Sequence, residues 1–483
     1  LQPLTYLPEM DAILSQLCWI PKMRLTPTQE AELISDLTIY PRLSGFSDDA
    51  ALKKIQTFIS GKTYIGVPCF YGRQWCEKHR IAIKDDTSSG FNISRYIRKL
   101  PDPHHPSASQ GQEEFFSSLL ETVKSNNTVL AEAPTGSGKT VTALNAIGRL
   151  GRSALIVVPN GPLMEQWKKE AIRHLGLTED EVGVIGGGKS VWKDKPVVVA
   201  IIHNICMASM PDAFYRAFGI TVWDEAHVVG AEWFSLSTQH LRSKYRIAIT
   251  ATPNRSDGCM RIVTDAFGPV AVRHSGNAVP LIYAPLSYRL PAKLRAWADR
   301  AQGKEMSRVL KALTADLPRN IKIGRLAVAG YKKNRNILLI SDRISHLEAM
   351  QDILVHLGIP SEHIGMFSGA VKGDKDASGK KKLTKKQKLD DVVKNPKYRV
   401  ILATYAMMKL GIDIPRLDMG IDISPKSEAV QTVGRIRRPF PNKPTPVWFT
   451  VVDSSRKFQA LYHSRERELL SKGSVEIRPI KAL

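Results

Sequence analysis

Between residues 107 and 270, short apolar runs alternate with stretches whose apolar side chains recur every three or four positions. Thr128–Glu132, Ala154–Val158 and the runs 197–202, 221–223 and 246–250 are short and apolar almost throughout. Each predicts a strand buried on both faces. The intervening stretches 140–150 and 162–175 have helical spacing. Such alternation predicts a parallel sheet covered by helices. A second series follows at 336–340, 400–403, 419–423 and 447–452. The expected fold class is therefore α/β, with one parallel-sheet lobe over 107–270, another over 336–483 and a mixed bridging segment at 271–335.

Residues 1–100 fit neither series and predict a small α+β domain. The stretch 48–59 has helical spacing. Tyr64–Val67 and 80–84 have the character of short strands, flanking a loop with Phe70, Tyr71, Arg73 and Trp75. The run Pro-Asp-Pro-His-His-Pro at 101–106 reads as a linker, because proline removes backbone donors and restricts the residue before it. A lysine-rich stretch, 372–388, interrupts the second series and reads as a solvated insertion or a sequence-independent phosphate contact.

At 483 residues the chain has room for two to four domains, at roughly 100–200 residues each. Lys plus Arg number 69 against 46 Asp plus Glu, a net charge of +23. That excess favours a polyanionic partner, nucleic acid above all. The five cysteines are scattered, which argues against a disulfide framework and fits a reducing compartment. Cys69, Cys76 and His79 lie close together, but a structural zinc site takes four ligands. No apolar run reaches the ~18 residues of a membrane span, and the first residues lack the basic-then-apolar pattern of a secretory leader.

Residues 133–140 read Ala-Pro-Thr-Gly-Ser-Gly-Lys-Thr. They follow a predicted strand and open a predicted helix, the context in which helix N-terminal amides meet phosphates. Pro134, Thr135, Gly136, Ser137, Gly138, Lys139 and Thr140 are thus expected to hold a nucleoside triphosphate. Lys139 would face the outer phosphates, and the Thr140 hydroxyl would ligate magnesium. The stricter match to Gly-x-x-x-x-Gly-Lys-Ser/Thr lies elsewhere, at 183–190. No helix follows it, so it reads as a glycine-rich loop. Downstream, Asp-Glu-Ala-His at 224–227 ends a strand run. Asp224 is expected to make a second magnesium contact, and Glu225 to orient and deprotonate the attacking water. His227 would relay to the next segment.

These segments, in order, resemble those of the superfamily 2 helicases and translocases. Thr-Ala-Thr-Pro at 250–253 is similar to the coupling motif, and Val-Val-Pro-Asn at 157–160, with Gln166 and Trp167, to a strand-contacting motif. Residues 337–343, 403–415 and 431–438 resemble the motifs of the second lobe. The resemblance covers about 107–455 and is closest to XPB-like and phage UvsW-like DNA helicases of the DEAH type. Pro318-Arg319-Asn320 also suits that group.

The resemblance implies two RecA-like lobes with ATP and magnesium between them. It implies that Arg435 and Arg438, with Gln431, act on the phosphates from the second lobe. Gly411 and Asp413 would touch the nucleotide, and Gln112 the adenine. His227, Thr250 and Thr252 would couple hydrolysis to movement. Pro159, Asn160 and Thr404 would contact the strand. Arg73 and Trp75 would do so from the N-terminal domain, by phosphate pairing and base stacking.

The implied activity is that of an ATP-dependent DNA helicase or translocase, 3′ to 5′, on forks, displacement loops and junctions. Branch migration in recombination, repair or replication restart would follow. Its partners would be single-stranded and branched duplex DNA, with no membrane. It would work as a monomer in the cytoplasm of a bacterium or phage-infected host, the nucleus being the alternative. An RNA helicase of the same superfamily and a duplex-translocating motor of a larger assembly are the competing readings.

Overall fold

The computed structural model describes residues 11–41, 54–102, 111–134, 136–207, 210–253, 255, 257–274, 279–367, 391–409, 414–426, 430–438, 440–471 and 474–479. The described residues form two compact units, one of those up to 274 and the other of those from 279 onward.

The first unit begins with a small sheet. Strands β1 (Ala12–Leu14) and β2 (Cys18–Pro21) form a tight antiparallel pair. Strands β3 (Thr38–Ile39) and β4 (Ile55–Gln56) pair separately. Strands β5 (Ile59–Ser60), β6 (Tyr64–Val67) and β7 (Ile83–Asp85) complete a sheet of order β5-β6-β2-β1-β7.

Two expectations fail here. The described part of 48–59 is β4 and β5, not helix: the Ile55 and Ile59 periodicity serves short extended pairs. Likewise, the segment read as a loop is the helix Cys69–Lys78. Cys69, Gly72, Trp75 and Cys76 form its buried face, steps of three and four residues that put one helix stripe against a sheet. Gly72 permits the close approach, since a Cβ there would lie 2.3 Å from Cys18 Cβ.

This module is bonded to the large sheet behind it. Arg246 is buried, and its Nη2 donates to the Ser15 carbonyl at 2.7 Å and the Leu241 carbonyl at 3.0 Å. Arg73 Nη1 donates to the Asn126 carbonyl at 2.6 Å. Satisfying a guanidinium with several carbonyls offsets the cost of burying it.

The large sheet of the first unit has eight strands: β8 (Thr128–Glu132), β9 (Ala154–Val158), β10 (Val182–Gly186), β11 (Lys189–Val191), β12 (Val197–Ile201), β13 (Ile220–Asp224), β14 (Tyr245–Thr250) and β15 (Val270–Arg273). Their order is β11-β10-β12-β9-β13-β14-β8-β15. All neighbours are parallel except β10 and β11, which form a hairpin. The five strand runs expected here are found within a residue or so of their limits. They are buried on both faces, as helices on either side of a parallel sheet require.

The second unit is built on seven parallel strands: β16 (Leu281–Tyr288), β17 (Ile337–Ser341), β18 (Ile364–Phe367), β19 (Val400–Thr404), β20 (Met419–Asp422), β21 (Val447–Asp453) and β22 (Val475–Ile477). Their order is β18-β19-β17-β20-β21-β16-β22. The segment read as a bridge holds β16, which pairs with β21 over seven residues. Leu281, Tyr283, Ala284 and Leu286 are buried, so this stretch belongs to the second sheet. The lysine-rich stretch 372–388 lies outside the described residues. Among those described, no helix is long and apolar enough to cross a membrane.

Candidate active site

Parallel pairing brings the carboxyl ends of β8, β13 and β14 to one edge. Thr250 is in register with Glu132, and Asp224 with Ile249. The loop after β8 starts here, anchored by the Ala133 amide donating to the Thr250 carbonyl at 3.0 Å. Gly136 and Gly138 have φ of +85° and +82°, in the left-handed region that favours glycine. The Ser137 hydroxyl donates to the Pro134 carbonyl at 2.8 Å. Helix Lys139–Leu150 follows at once. Thr135 lies outside the described residues.

Gln112, buried, opens the helix Gln112–Asn126. A Cβ on Gly138 would lie 2.4 Å from Gln112 Nε2, so the amide side chain rests directly on the loop. The sequence places these residues 26 positions apart and the fold brings them together.

Lys139 Nζ is buried and makes no hydrogen bond among the described residues; Glu225 Oε1 lies 3.7 Å away. A buried ammonium over a glycine-lined loop suits an anionic ligand. Asp224 and Glu225 stand opposite. Burial pushes the Asp224 carboxyl up, and the Glu225 charge adds to this; Lys139 and the Trp167 N–H oppose it. Trp167 Nε1 donates to Asp224 Oδ2 at 2.8 Å, and the Glu225 amide donates to Asp224 Oδ1 at 3.0 Å. Glu225 has φ of +53°. A bulky residue in that region stores strain, a feature concentrated at functional sites.

Beyond Glu225 the site continues into the next motif. His227 Nδ1 is 3.5 Å from Glu225 Oε2 and 2.9 Å from Thr250 Oγ1. The Thr252 amide donates to Thr250 Oγ1 at 3.1 Å. Arg255 Nη1 donates to the His227 carbonyl at 2.7 Å and pairs with Asp257. Lys139, Glu225, His227, Thr250 and Thr252 thus form one contiguous chain. Arg255 is a member that motif reading does not assign, and Trp167, grouped there with the strand-contacting motif, serves Asp224 instead. In the sequence Arg255 is only a charge two positions past Pro253.

The other expected residues fall as follows. Thr140 lies in the first turn of its helix, half-buried. Pro159 and Asn160 follow β9, and the Asn160 side chain caps the next helix by accepting from the Leu163 amide at 3.1 Å. In the second unit, the Thr404 hydroxyl accepts from the Met407 amide at 3.3 Å. Gln431 and Arg435 lie on the helix Val430–Ile436; Arg435 is buried and Arg438 half-buried. Gly411 and Asp413 lie outside the described residues.

Trp75 is only 5% exposed; it stacks on Tyr71 and lies tilted against His79, at 6.2 Å and 4.4 Å between ring centroids. It is a core residue of the module and offers no open face to a base. Arg73 spends a donor on Asn126. Among the described residues, no group of three or more His, Cys, Asp or Glu side chains could hold a metal ion. The strict sequence match at 183–190 is the β10–β11 hairpin, with Lys189 exposed on it.

The family described as type III restriction enzyme, res subunit, matches residues 106–255. The chain is 24% identical over 430 residues to a putative ATP-dependent RNA helicase, L396, of Acanthamoeba polyphaga mimivirus, covering 87% of this chain and 78% of that protein. It is 26% identical over 360 residues to the DNA 3′-5′ helicase XPB of Kineococcus radiotolerans, covering 70% and 59%. Among solved structures, a fragment of a putative HsdR subunit of a type I restriction enzyme from Vibrio vulnificus YJ016 matches with a TM-score of 0.55 at 16% identity, covering 84% of this chain and 73% of that one.

Proposed function

For this chain, a superfamily 2 helicase that uses ATP and has XPB-type relatives, we propose translocation along DNA, 3′ to 5′, with separation of branched duplexes such as forks, displacement loops and junctions. The observation that carries the reading is the unbroken run of contacts from Lys139 through Glu225 and His227 to Thr250. It joins the residues suited to hydrolysis to a turn that can move a neighbouring element. The net charge of +23 supports a polyanionic track.

The proposed roles follow from the chemistry of each group. The loop Pro134, Thr135, Gly136, Ser137 and Gly138 cradles the triphosphate with its amides, and Lys139 neutralises the outer phosphates. Gln112 reads the adenine edge. Glu225 takes a proton from the attacking water, and Arg435 and Arg438, with Gln431, balance charge developing on the departing phosphate. Gly411 and Asp413 complete the nucleotide contacts. Thr140 and Asp224 would hold magnesium, which supplies positive charge at the phosphates when bound. His227, Thr250 and Thr252 pass the change of charge at Glu225 to the backbone after β14. Pro159, Asn160 and Thr404 touch the strand. The buried Trp75 is left out of this set.

Wild type and Lys139→Ala, given a labelled fork with a 3′ or a 5′ single-stranded arm, test the reading. ATP-dependent separation of the 3′-armed substrate by wild type alone is expected. Separation of RNA duplexes but not DNA, or equal activity of the variant, would overturn it.

A further inference from the structure

In the second unit, the helices Gly303–Thr314 and Arg456–Leu470 enclose an apolar cavity open to solvent. Met306 and Phe458 are its buried floor, and Leu310 and Leu461 its half-exposed walls. Pro425, Ser307 and Lys426 form its rim. Arg343 stands beside that rim: its Nη2 donates to the Ser307 carbonyl at 2.8 Å and the Ser307 hydroxyl at 3.0 Å. An apolar slot bordered by cations matches a nucleotide, whose base is flat and apolar-faced and whose backbone is anionic.

The rim is held by a polar relay that begins at the Pro318-Arg319-Asn320 segment. Arg319 and Asp453 are both 0% exposed and pair through two hydrogen bonds of 2.8 and 2.9 Å. A third, from Arg319 Nη1 to the Ile423 carbonyl at 3.0 Å, fixes the strand end just before the rim. Asn320 Nδ2 donates to the Thr314 carbonyl at 2.9 Å, so its Oδ1 accepts from His346 Nε2 at 3.0 Å. His346 Nδ1 then accepts from the Ser341 hydroxyl at 3.0 Å, and Ser341 Oγ accepts from the Ser424 hydroxyl at 2.9 Å. Ser341 Oγ also accepts from the Arg343 amide, and Ser424 Oγ from the Asp342 amide, each at 3.2 Å. With the Asn320 amide so oriented, each bond in this chain has one donor, and the chain holds the Asp342 and Arg343 amides and the Ser424 hydroxyl beside the rim.

The same rim adjoins the end of β19. Lys426 Nζ pairs with Asp342 at 2.8 Å and sits 4.6 Å from the centroid of Tyr405, the residue after Thr404. Arg343, whose described side-chain partners are neutral oxygens, is the rim cation best placed to take a phosphate.

We propose that this cavity receives one unstacked nucleobase of the bound single strand, with Arg343 and Lys426 facing the adjoining phosphates and the Arg319–His346 relay positioning them. The inference rests on the DNA reading above and adds a site to it. The discriminating experiment measures binding of a single-stranded oligodeoxynucleotide one site long, intact or with an abasic position moved along it. Wild type is compared with Leu310→Gln and Leu461→Gln, each checked for an unchanged melting temperature. One abasic position is expected to weaken wild-type binding about 5- to 150-fold, the loss expected for one stacked base. The variants should bind the intact strand that weakly and lose nothing more on the abasic one.

Equal wild-type affinity for every abasic strand would overturn the proposal. So would a variant defect that persists in full on the abasic strand, the result expected if the cavity docks a protein segment instead. Failure of wild type to bind any single strand would remove the DNA reading itself, and the cavity's assignment with it.

Discussion

His227 Nδ1 lies 2.9 Å from the Thr250 hydroxyl and 3.5 Å from Glu225 Oε2, so a single ring nitrogen faces both the proposed general base and the turn after β14. A charge change at Glu225 therefore alters a hydrogen bond to Thr250 without an intermediate side chain. Replacing His227 with Ala should leave ATP turnover within a few-fold of wild type. It should raise the ATP consumed per base pair separated about 5- to 150-fold, the range of a coupling free energy between sites. Parallel assays of phosphate release and strand separation check this; unchanged stoichiometry would argue against the relay.

Lys139→Ala should abolish ATP turnover while preserving DNA binding, because its ammonium stands beside Glu225 in the proposed triphosphate site and is none of the proposed strand contacts. Lys189→Ala, on the exposed β10–β11 hairpin, should behave as wild type. Steady-state phosphate release for the two variants separates the assignments. An inactive Lys189 variant would move the nucleotide to the hairpin.

Trp167 stabilises the charged form of Asp224 through its N–H. Trp167→Phe removes that donor, so the Asp224 carboxyl should rise further. The acid limb of the ATPase pH profile should then shift upward, because a hydrogen bond to the charged form is lost. An unmoved or downward-shifted limb would contradict the role given to this contact.

Burial, with a smaller push from the Arg319 guanidinium, pulls the His346 imidazole down to about 3, against about 6.5 for an unfolded chain. Between these values the unfolded state binds the proton and the folded state does not, so stability falls as pH drops from about 6.5 toward 3. The slope from this group is at most about 1.4 kcal/mol per pH unit. Denaturant titrations of wild type and His346→Gln from neutral to mildly acidic pH should differ by that slope. Parallel curves would mean that His346 is not held neutral.

Much of the architecture was legible because strands such as Ala154–Val158 are buried on both faces and so read as continuous apolar runs. The glycine-rich loop at 133–140 was separable from the stricter match at 183–190 because a helix follows only the first. Helix Cys69–Lys78 was hidden: Pro68 and Gly72 have the look of loop residues, and only tight packing on β2 makes Gly72 favourable there. The core position of Trp75 is hidden for the same reason, since an aromatic in a basic segment serves either a core or a base. The relay from Asn320 through His346 and Ser341 to Ser424 spans about a hundred positions of ordinary polar residues, and no local pattern marks them as partners. The stretch holding β16 has the look of a bridge because its strand partners, β21 and β22, come more than 150 residues later.

The most direct test of the motor reading is the rate of ATP hydrolysis by the intact chain with single-stranded, duplex, forked and four-way DNA, and with RNA as comparator. Strong stimulation by DNA, largest for the forked and four-way substrates and lost in Glu225→Gln, is the predicted result. Hydrolysis indifferent to every nucleic acid, or raised by RNA alone, would contradict it.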